Sequence, residues 1–496
     1  MSEKVDKIAS EGAISPTGSS RNASLYEDYD TPEDRRIMRK VDRHLLPILT
    51  LLYLLSFLDR TNIGNAKYVA RRVCRANYNL SLAIYFIAYV TFEVPSNLTD
   101  MHSLKRFDPA KWLPSLTLVW GVVSVCQGVV KNQAGLFAVR FFLGMTEAGL
   151  SVLMFPGVIF LFSVYYRRRE RHWRVAVFFG GAALAGAFGG ILAFAIGKMD
   201  GIGGRQGWAW YVSISCILTI VVSLAAYWIV PTWCLTEPER ARLLARLAAD
   251  SDAGSYETFE WRYVREAFGD HLVWAYAFLF HGFAFVLYSL SLFLPTIIAN
   301  LGFVTWKAQL MTVPPNTVAA LSIWAAAYAA SRFKRRAVFI ILAAAVAIIG
   351  YIILLAANHA GVRYFGVHLA AAGVYTGNAL LLSWPGENVA GQTKRAVAVA
   401  MQITIGDIGA IAGVLIYRPS FAVDNYRKPH IIAIGYVVFG ALCASYLWFW
   451  MARENRRRDA IESEVAGGEK GDARDRTESR ENLVSSDRNL RYRYQI

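Results

Sequence analysis

VFIILAAAVAIIGYIILLA, residues 338–356, is a run of nineteen residues without a charge. At about 1.5 Å of rise per helical residue it covers most of the roughly 30 Å of hydrocarbon in a bilayer, so it reads as a membrane span. Arg332, Lys334, Arg335 and Arg336 stand immediately before it, the placement expected of a basic anchor on the cytoplasmic side. Working outward, eleven further apolar runs match the same length: His44–Ile63, Leu80–Met101, Trp112–Val130, Gly135–Phe162, Trp173–Ile196, Trp208–Val230, His271–Ile298, Lys307–Ala330, Tyr364–Trp384, Ala396–Ile416 and Ile431–Met451.

The totals agree. Of 496 residues, 55% are hydrophobic and only 18% charged, too apolar for an ordinary soluble protein. The net charge of +15 does not read as a nucleic-acid surface, because the basic residues form short runs between apolar stretches. The longest internal polar segment, from Pro231 to Asp270, contains the basic amphipathic stretch Glu239–Leu247 and separates six spans from six. The expected fold is therefore an all-α membrane protein with twelve transmembrane helices in two six-helix halves, a layout that encloses a site at the midplane and rocks around it. The division is a tail over 1–37, a half over 38–230, a central loop over 231–270, a half over 271–451 and a tail over 452–496. Both tails are rich in charge, Ser and Asn and are expected to be disordered. Met1 to Met38 lacks an apolar core with a cleavage site, so insertion is expected to use the first span.

Placing the N-terminus inside makes the even connections cytoplasmic. Arg167, Arg168, Arg169, Arg171 and Arg174 follow span four, and Lys394 and Arg395 follow span ten, as that orientation requires. Lys67, Arg71, Arg72 and Arg75 dissent from the first external connection.

An ionisable side chain within a span costs about 2.5–3.5 kcal/mol on insertion scales, so each one is a functional candidate. Asp59, Glu93, Glu147 and Asp407 are candidates for proton coupling, and Arg60, Arg140, Tyr288, Asn378 and Gln402 for substrate contact. A guanidinium at Arg60 can fork onto a carboxylate, whereas the alternative is structural, with Asp59 and Arg60 pairing with neighbouring helices or with each other. Arg140 and Glu147 are seven residues apart and share a helix face, as a cavity pair or as a static ion pair. His281 and Tyr288 share the same spacing, and Asn378 and Gln402 serve equally well as inter-helix hydrogen bonders. Gly181, Ala185 and Gly189, with Gly186 and Gly190, form small-residue stripes suited to close helix packing. Cys74, Cys126, Cys216, Cys234 and Cys443 are scattered and offer no metal spacing or disulfide framework. With no phosphate-cradling Gly loop and no Ser with a plausible His and acid, neither enzyme chemistry nor a cofactor or metal is expected.

The motifs together resemble a known family. Tyr53-Leu54-Leu55-Ser56-Phe57-Leu58-Asp59-Arg60-Thr61-Asn62-Ile63-Gly64-Asn65-Ala66 resembles the first-span signature of the fungal anion:cation symporters, the allantoate permease-like branch of the major facilitator superfamily. Phe92-Glu93-Val94-Pro95-Ser96-Asn97, Arg140–Gly149, Phe155-Pro156-Gly157, Ser289–Pro295 and Asn388–Arg395 resemble it in order, so the likeness covers about Arg39 to Met451. It implies proton-coupled uptake of a small organic anion such as nicotinate, allantoate or pantothenate, by a monomer in the plasma membrane with both termini cytoplasmic. The partners implied are that anion, protons and the lipid bilayer. Glu387 and Asp407 depart from the family pattern, which has Asn there. Ala185–Gly190 lacks the proline of the Gly-Pro-x-x-Gly-Gly stretch of drug–proton antiporters, which favours symport over antiport. A non-transporting nutrient sensor on the same scaffold is the other reading.

Overall fold

The helix starts follow the local chemistry of the chain. Thr31 and Asp34 form a reciprocal capping box, in which the Thr31 amide donates to Asp34 Oδ2 (3.2 Å) and the Asp34 amide to Thr31 Oγ1 (3.4 Å). Pro32 then takes the first helical position, where its missing N–H is no loss. Asn132 caps a later helix through Gly135, and Asp270 another through Leu272.

The protein is described here by a computed structural model covering residues 31–66, 79–92, 109–128, 130, 132–197, 199, 201, 207–229, 235–248, 261–303, 305–422, 424–468 and 493–495. Among them, twelve long helices follow the expected order: α1 Pro32–Ala66, α2 Asn79–Phe92, α3 Pro109–Gln127, α4 Gln133–Tyr165, α5 Arg168–Gly197, α6 Gly207–Ile229, α7 His271–Ala299, α8 Val313–Phe333, α9 Arg336–Ala356, α10 Ala360–Leu382, α11 Gln392–Ile416 and α12 Arg427–Gly468. Among the described residues, eight helices are long and apolar enough to cross a membrane. Leu342, Ile349 and Ile352 on α9, and Leu442 and Phe449 on α12, are exposed, a face that only lipid suits.

In the first half α1 packs on α5 and α6, and α3 on α4 and α6. In the second, α7 packs on α10, α11 and α12, and α9 on α10 and α12. The halves meet chiefly along α5–α8 and α1–α7. The glycine stripe explains the first seam: a Cβ on Gly180, Gly186 or Gly190 would lie 2.4–2.6 Å from Trp324 or Asn316 of α8 or from Thr312 just before it, and one on Gly181 would press the α1 backbone at Thr50. Within the second half a Cβ on Gly373 would lie 2.4 Å from both Ala343 O and Ala347 N of α9, backbone atoms that cannot swing aside. Gly373→Leu is expected to cost at least about 3 kcal/mol of stability, read as an earlier thermal unfolding in detergent.

Span eight runs Lys307–Phe333, broken near Met311–Thr312, where Pro314 and Pro315 favour a fresh helix start, so a short helix Thr305–Leu310 precedes α8. The segment 231–270 holds two helices, Glu237–Ala248, which covers the amphipathic stretch Glu239–Leu247, and Trp261–Gly269. Two expectations about the tails are corrected. The chain is helical from Pro32, inside the expected 1–37 tail. The expected disorder over 452–496 gives way to helix as far as Gly468, supported by Glu454–Arg458 at i,i+4 (2.9 Å), and residues 493–495 pack against the second half. Glu93, the Phe92–Asn97 motif beyond Phe92, and Lys67, Arg71, Arg72 and Arg75 lie outside the described residues.

Helix Glu237–Ala248 is strapped to the start of α1 and to the α4–α5 turn. Arg242 pairs with Asp34 (2.8 Å), Arg246 with Glu170 (2.5 Å) and Lys40 with Glu239, over a buried Leu243. The Lys40 hydrogen bond, helped by the Thr236 amide, pulls the Glu239 carboxyl down to about 2. A depressed carboxyl stabilises the strap fully above its ordinary value of 4.5, and that contribution is lost as pH falls toward 2. Lys40→Ala is expected to move this loss to higher pH, measured as hydrogen exchange of the Glu237–Ala248 amides against pH.

Candidate functional site

Five helices bring the charged residues together. Ser56 and Arg60 lie one turn apart on α1, Tyr85 and Tyr89 one turn apart on α2, Glu147 comes from α4, Tyr288 from α7 and Asp407 from α11. Arg60 Nε donates to Glu147 Oε1 (3.1 Å) and Nη2 donates to the same oxygen. Ser56 Oγ also donates to Oε1 (3.3 Å), and the Tyr85 hydroxyl donates to Oε2. The remaining arm of the fork, Nη1, donates to the Tyr288 hydroxyl in the other half. The guanidinium carbon sits 5.6–5.7 Å from the ring centroids of Tyr85, Tyr89 and Tyr288, an aromatic enclosure suited to a weakly hydrated cation. Arg60 retains 11% exposure against 1% for Glu147.

The other candidates fall into place around this pair. Arg140 is buried with its guanidinium 5.8 Å from the Tyr85 ring, one residue removed from the central contact. Asp407 is buried within electrostatic reach of Arg60 and Glu147, and its Oδ1 has no hydrogen-bond partner among the described residues. Asp59 turns the other way and accepts from Thr219 of α6 (3.2 Å). Adjacent residues on a helix point about 100° apart, and Asp59 and Arg60 accordingly meet different neighbouring helices, α6 and α4. Asn378 donates to Phe283 O of α7 (3.3 Å) and to Val374 O, and Gln402 donates to Leu381 O of α10 (3.3 Å). Each thus bonds to a neighbouring helix, while the Asn378 Oδ1 and Gln402 Oε1 oxygens have no hydrogen-bond partner among the described residues. His281 likewise meets Ile405 O of α11 (2.8 Å). Glu387, one of the family departures, is paired with Arg336 at the start of α9 (2.8 Å).

Sequence reasoning missed Tyr85, Tyr89 and Ser56. The i,i+4 spacing of the two tyrosines, and of Ser56 with Arg60, was the available signal. An aromatic floor also went unread: Tyr53 packs on Phe178 (4.4 Å), and Phe57 meets Tyr375 of α10 across the halves (6.5 Å).

Chemically, the site is a guanidinium whose donors are split between a carboxylate in one half and a phenol in the other. An incoming carboxylate fits the same fork, so it competes with Glu147. Protonating Glu147 removes that competitor.

The family profile of the Major Facilitator Superfamily matches residues 49–414. The "Uncharacterized transporter C1002.16c" of Schizosaccharomyces pombe is 32% identical over 464 residues, covering 90% of each chain. The "MFS-type transporter cnsO" of Penicillium expansum is 34% identical, covering 86% of this chain and 85% of that one. Among solved structures, that of the proton:xylose symporter XylE bound to 6-bromo-6-deoxy-D-glucose superposes with a TM-score of 0.63 at 15% identity, covering 84% of this chain and 96% of that one, a likeness of fold. The chain thus belongs to the Major Facilitator Superfamily: it is a multi-pass secondary transporter and not an enzyme.

Proposed function

We propose that this transporter carries a small organic anion together with protons, and that Arg60 and Glu147 couple the two. The observation that supports this reading is the shared fork: Arg60 is bonded to Glu147 in the first half and to Tyr288 in the second. A proton on Glu147 dissolves the ion pair and frees two donors for the substrate carboxylate. Reciprocally, an anion on Arg60 displaces Glu147 and favours its protonation, so each ligand promotes the other by the same coupling free energy. Tyr288 makes the state of Arg60 felt across the interface that alternating access must rearrange. Asp407 is the second proton-binding candidate, Arg140 supports the site through Tyr85, and Asp59 belongs to the α1–α6 contact.

The orientation that goes with this reading has both termini in the cytoplasm and the chain in the plasma membrane. Exposed Arg332, Lys334 and Arg335 at the α8–α9 turn support it. The likeness in the first-span motif points to the allantoate permease-like symporters and to nicotinate, pantothenate or allantoate as the substrate class. The test is radiolabelled uptake of these three anions in cells lacking their own transporters, at external pH 5 to 8. Uptake that rises as pH falls supports symport. Substrate binding without uptake would favour the sensor, and efflux driven by external acid the antiporter.

A further inference from the structure

Residues 493–495 lie along α12 beyond the membrane-spanning part, running antiparallel to it. Arg493 pairs with Asp459 (2.7 Å) and Glu462 (2.5 Å). Tyr494 is buried, its ring 5.6 Å from Trp450 and 4.9 Å from the Arg458 guanidinium. The Asn455 side chain reads the Tyr494 backbone twice, accepting from its N–H and donating to its C=O, both at 2.9 Å. Asn455, Arg458, Asp459 and Glu462 recur at i, i+3, i+4 and i+7, so a single face of α12 makes these contacts.

The other wall is the short helix Trp384–Asn388 in the α10–α11 turn. Asn388 accepts from the Gln495 N–H (2.7 Å) and donates to its C=O (3.0 Å), and its second amide hydrogen goes to the Tyr276 hydroxyl of α7 (3.0 Å). The Trp384 indole N–H also donates to Gln495 O (2.9 Å). Trp384 and Asn388 are both buried. Without the segment, a buried indole N–H and a buried amide oxygen would lose these partners, at a cost that native interiors avoid. Two asparagines, each making a pair of backbone hydrogen bonds to successive residues, are a built receptor for an extended peptide.

We propose that the Trp384–Asn388 helix and the outer end of α12 form a peptide-binding cleft whose occupant is the chain's own distal segment Arg493–Gln495, and that occupancy fastens the α10–α11 turn to α12. The consequence reaches the central site. Gln392, shortly after Asn388, starts α11, which carries Asp407, and Tyr276 lies on the helix that carries Tyr288. Release of the segment loosens the turn through which α11 is anchored.

Hydrogen exchange on the full-length protein, read by mass spectrometry, tests this without a transported substrate. The Tyr494 and Gln495 amides are expected to exchange at least about tenfold more slowly than unstructured chain, and at the unstructured rate in Asn455→Ala. Ending the chain after Leu490 should speed exchange in the Trp384–Arg395 turn by about tenfold and leave the α3 amides, in the other half, unchanged. A synthetic peptide of residues 489–496 added to that shortened chain should restore the slow rate, and the same peptide with Arg493→Ala should restore it less. Unstructured exchange at Tyr494 and Gln495 in the intact protein would overturn the proposal. So would a turn that exchanges equally in the shortened and intact chains.

Discussion

Arg60→Ala is expected to reduce anion uptake by at least about 100-fold, equivalent to roughly 2.7 kcal/mol of lost transition-state stabilisation. The substitution removes the cation that receives the substrate and also leaves Glu147 buried without the guanidinium, a loss that costs about 3–5 kcal/mol when the stranded group stays charged. The two effects separate in the double variant. Arg60→Ala with Glu147→Gln removes the stranded charge, so surface expression and thermal stability should recover while uptake stays at background. Arg60→Lys keeps the charge but loses the planar fork that meets Glu147 and Tyr288 together, and should retain partial activity with a raised apparent KM. Asp59→Asn should rescue nothing, because Asp59 is bonded to Thr219 on the far side of α1. Recovery of uptake in the Arg60/Glu147 double variant would make the pair structural.

Glu147→Gln should have the second-largest effect, and a different signature. The amide keeps the shape and can still accept from Ser56 and Arg60 through its oxygen, so the fold should survive with at most about 1–2 kcal/mol lost. The titrating group is gone. Uptake driven by a pH gradient should fall by more than about tenfold and lose its pH dependence, whereas exchange of labelled for unlabelled anion at equal pH, which needs no net proton movement, should persist. Exchange and gradient-driven uptake lost in equal measure would point to substrate binding rather than coupling.

Much of this site was legible before any fold was in hand, for a physical reason. Bilayers penalise ionisable groups so heavily that Arg60, Glu147 and Asp407 stand out in apolar runs, and these three are the groups whose charges meet. What sequence could not give was pairing. Asp59 and Arg60 are neighbours in the chain but point to different helices, and the partner of Arg60 lies on α4. Tyr85 and Tyr89 left only their i,i+4 spacing as a signal, because a tyrosine in a span carries no penalty that distinguishes a site from packing. The Asn378 and Gln402 side chains are likewise polar and buried, and each donates one hydrogen bond to a backbone carbonyl on a neighbouring helix, a partner that sequence does not reveal. At the helix ends, Pro314 and Pro315 were the readable signal for a break before α8, and hydropathy alone overrode it. The tail after Met451 looked unable to fold because the apolar groups that hold it, Trp450 and Trp384, belong to the membrane domain rather than to the tail itself.

The central claim, that proton and anion move together through exchange on the Arg60 fork, is tested most directly by watching the protons. The protein is reconstituted into liposomes containing a pH-sensitive dye and clamped at zero membrane potential. Nicotinate, pantothenate or allantoate, whichever the uptake screen identifies, is then added outside at equal internal and external pH. The account predicts internal acidification that tracks anion entry and disappears in Glu147→Gln. Anion entry with no pH change, or with internal alkalinisation, would contradict it.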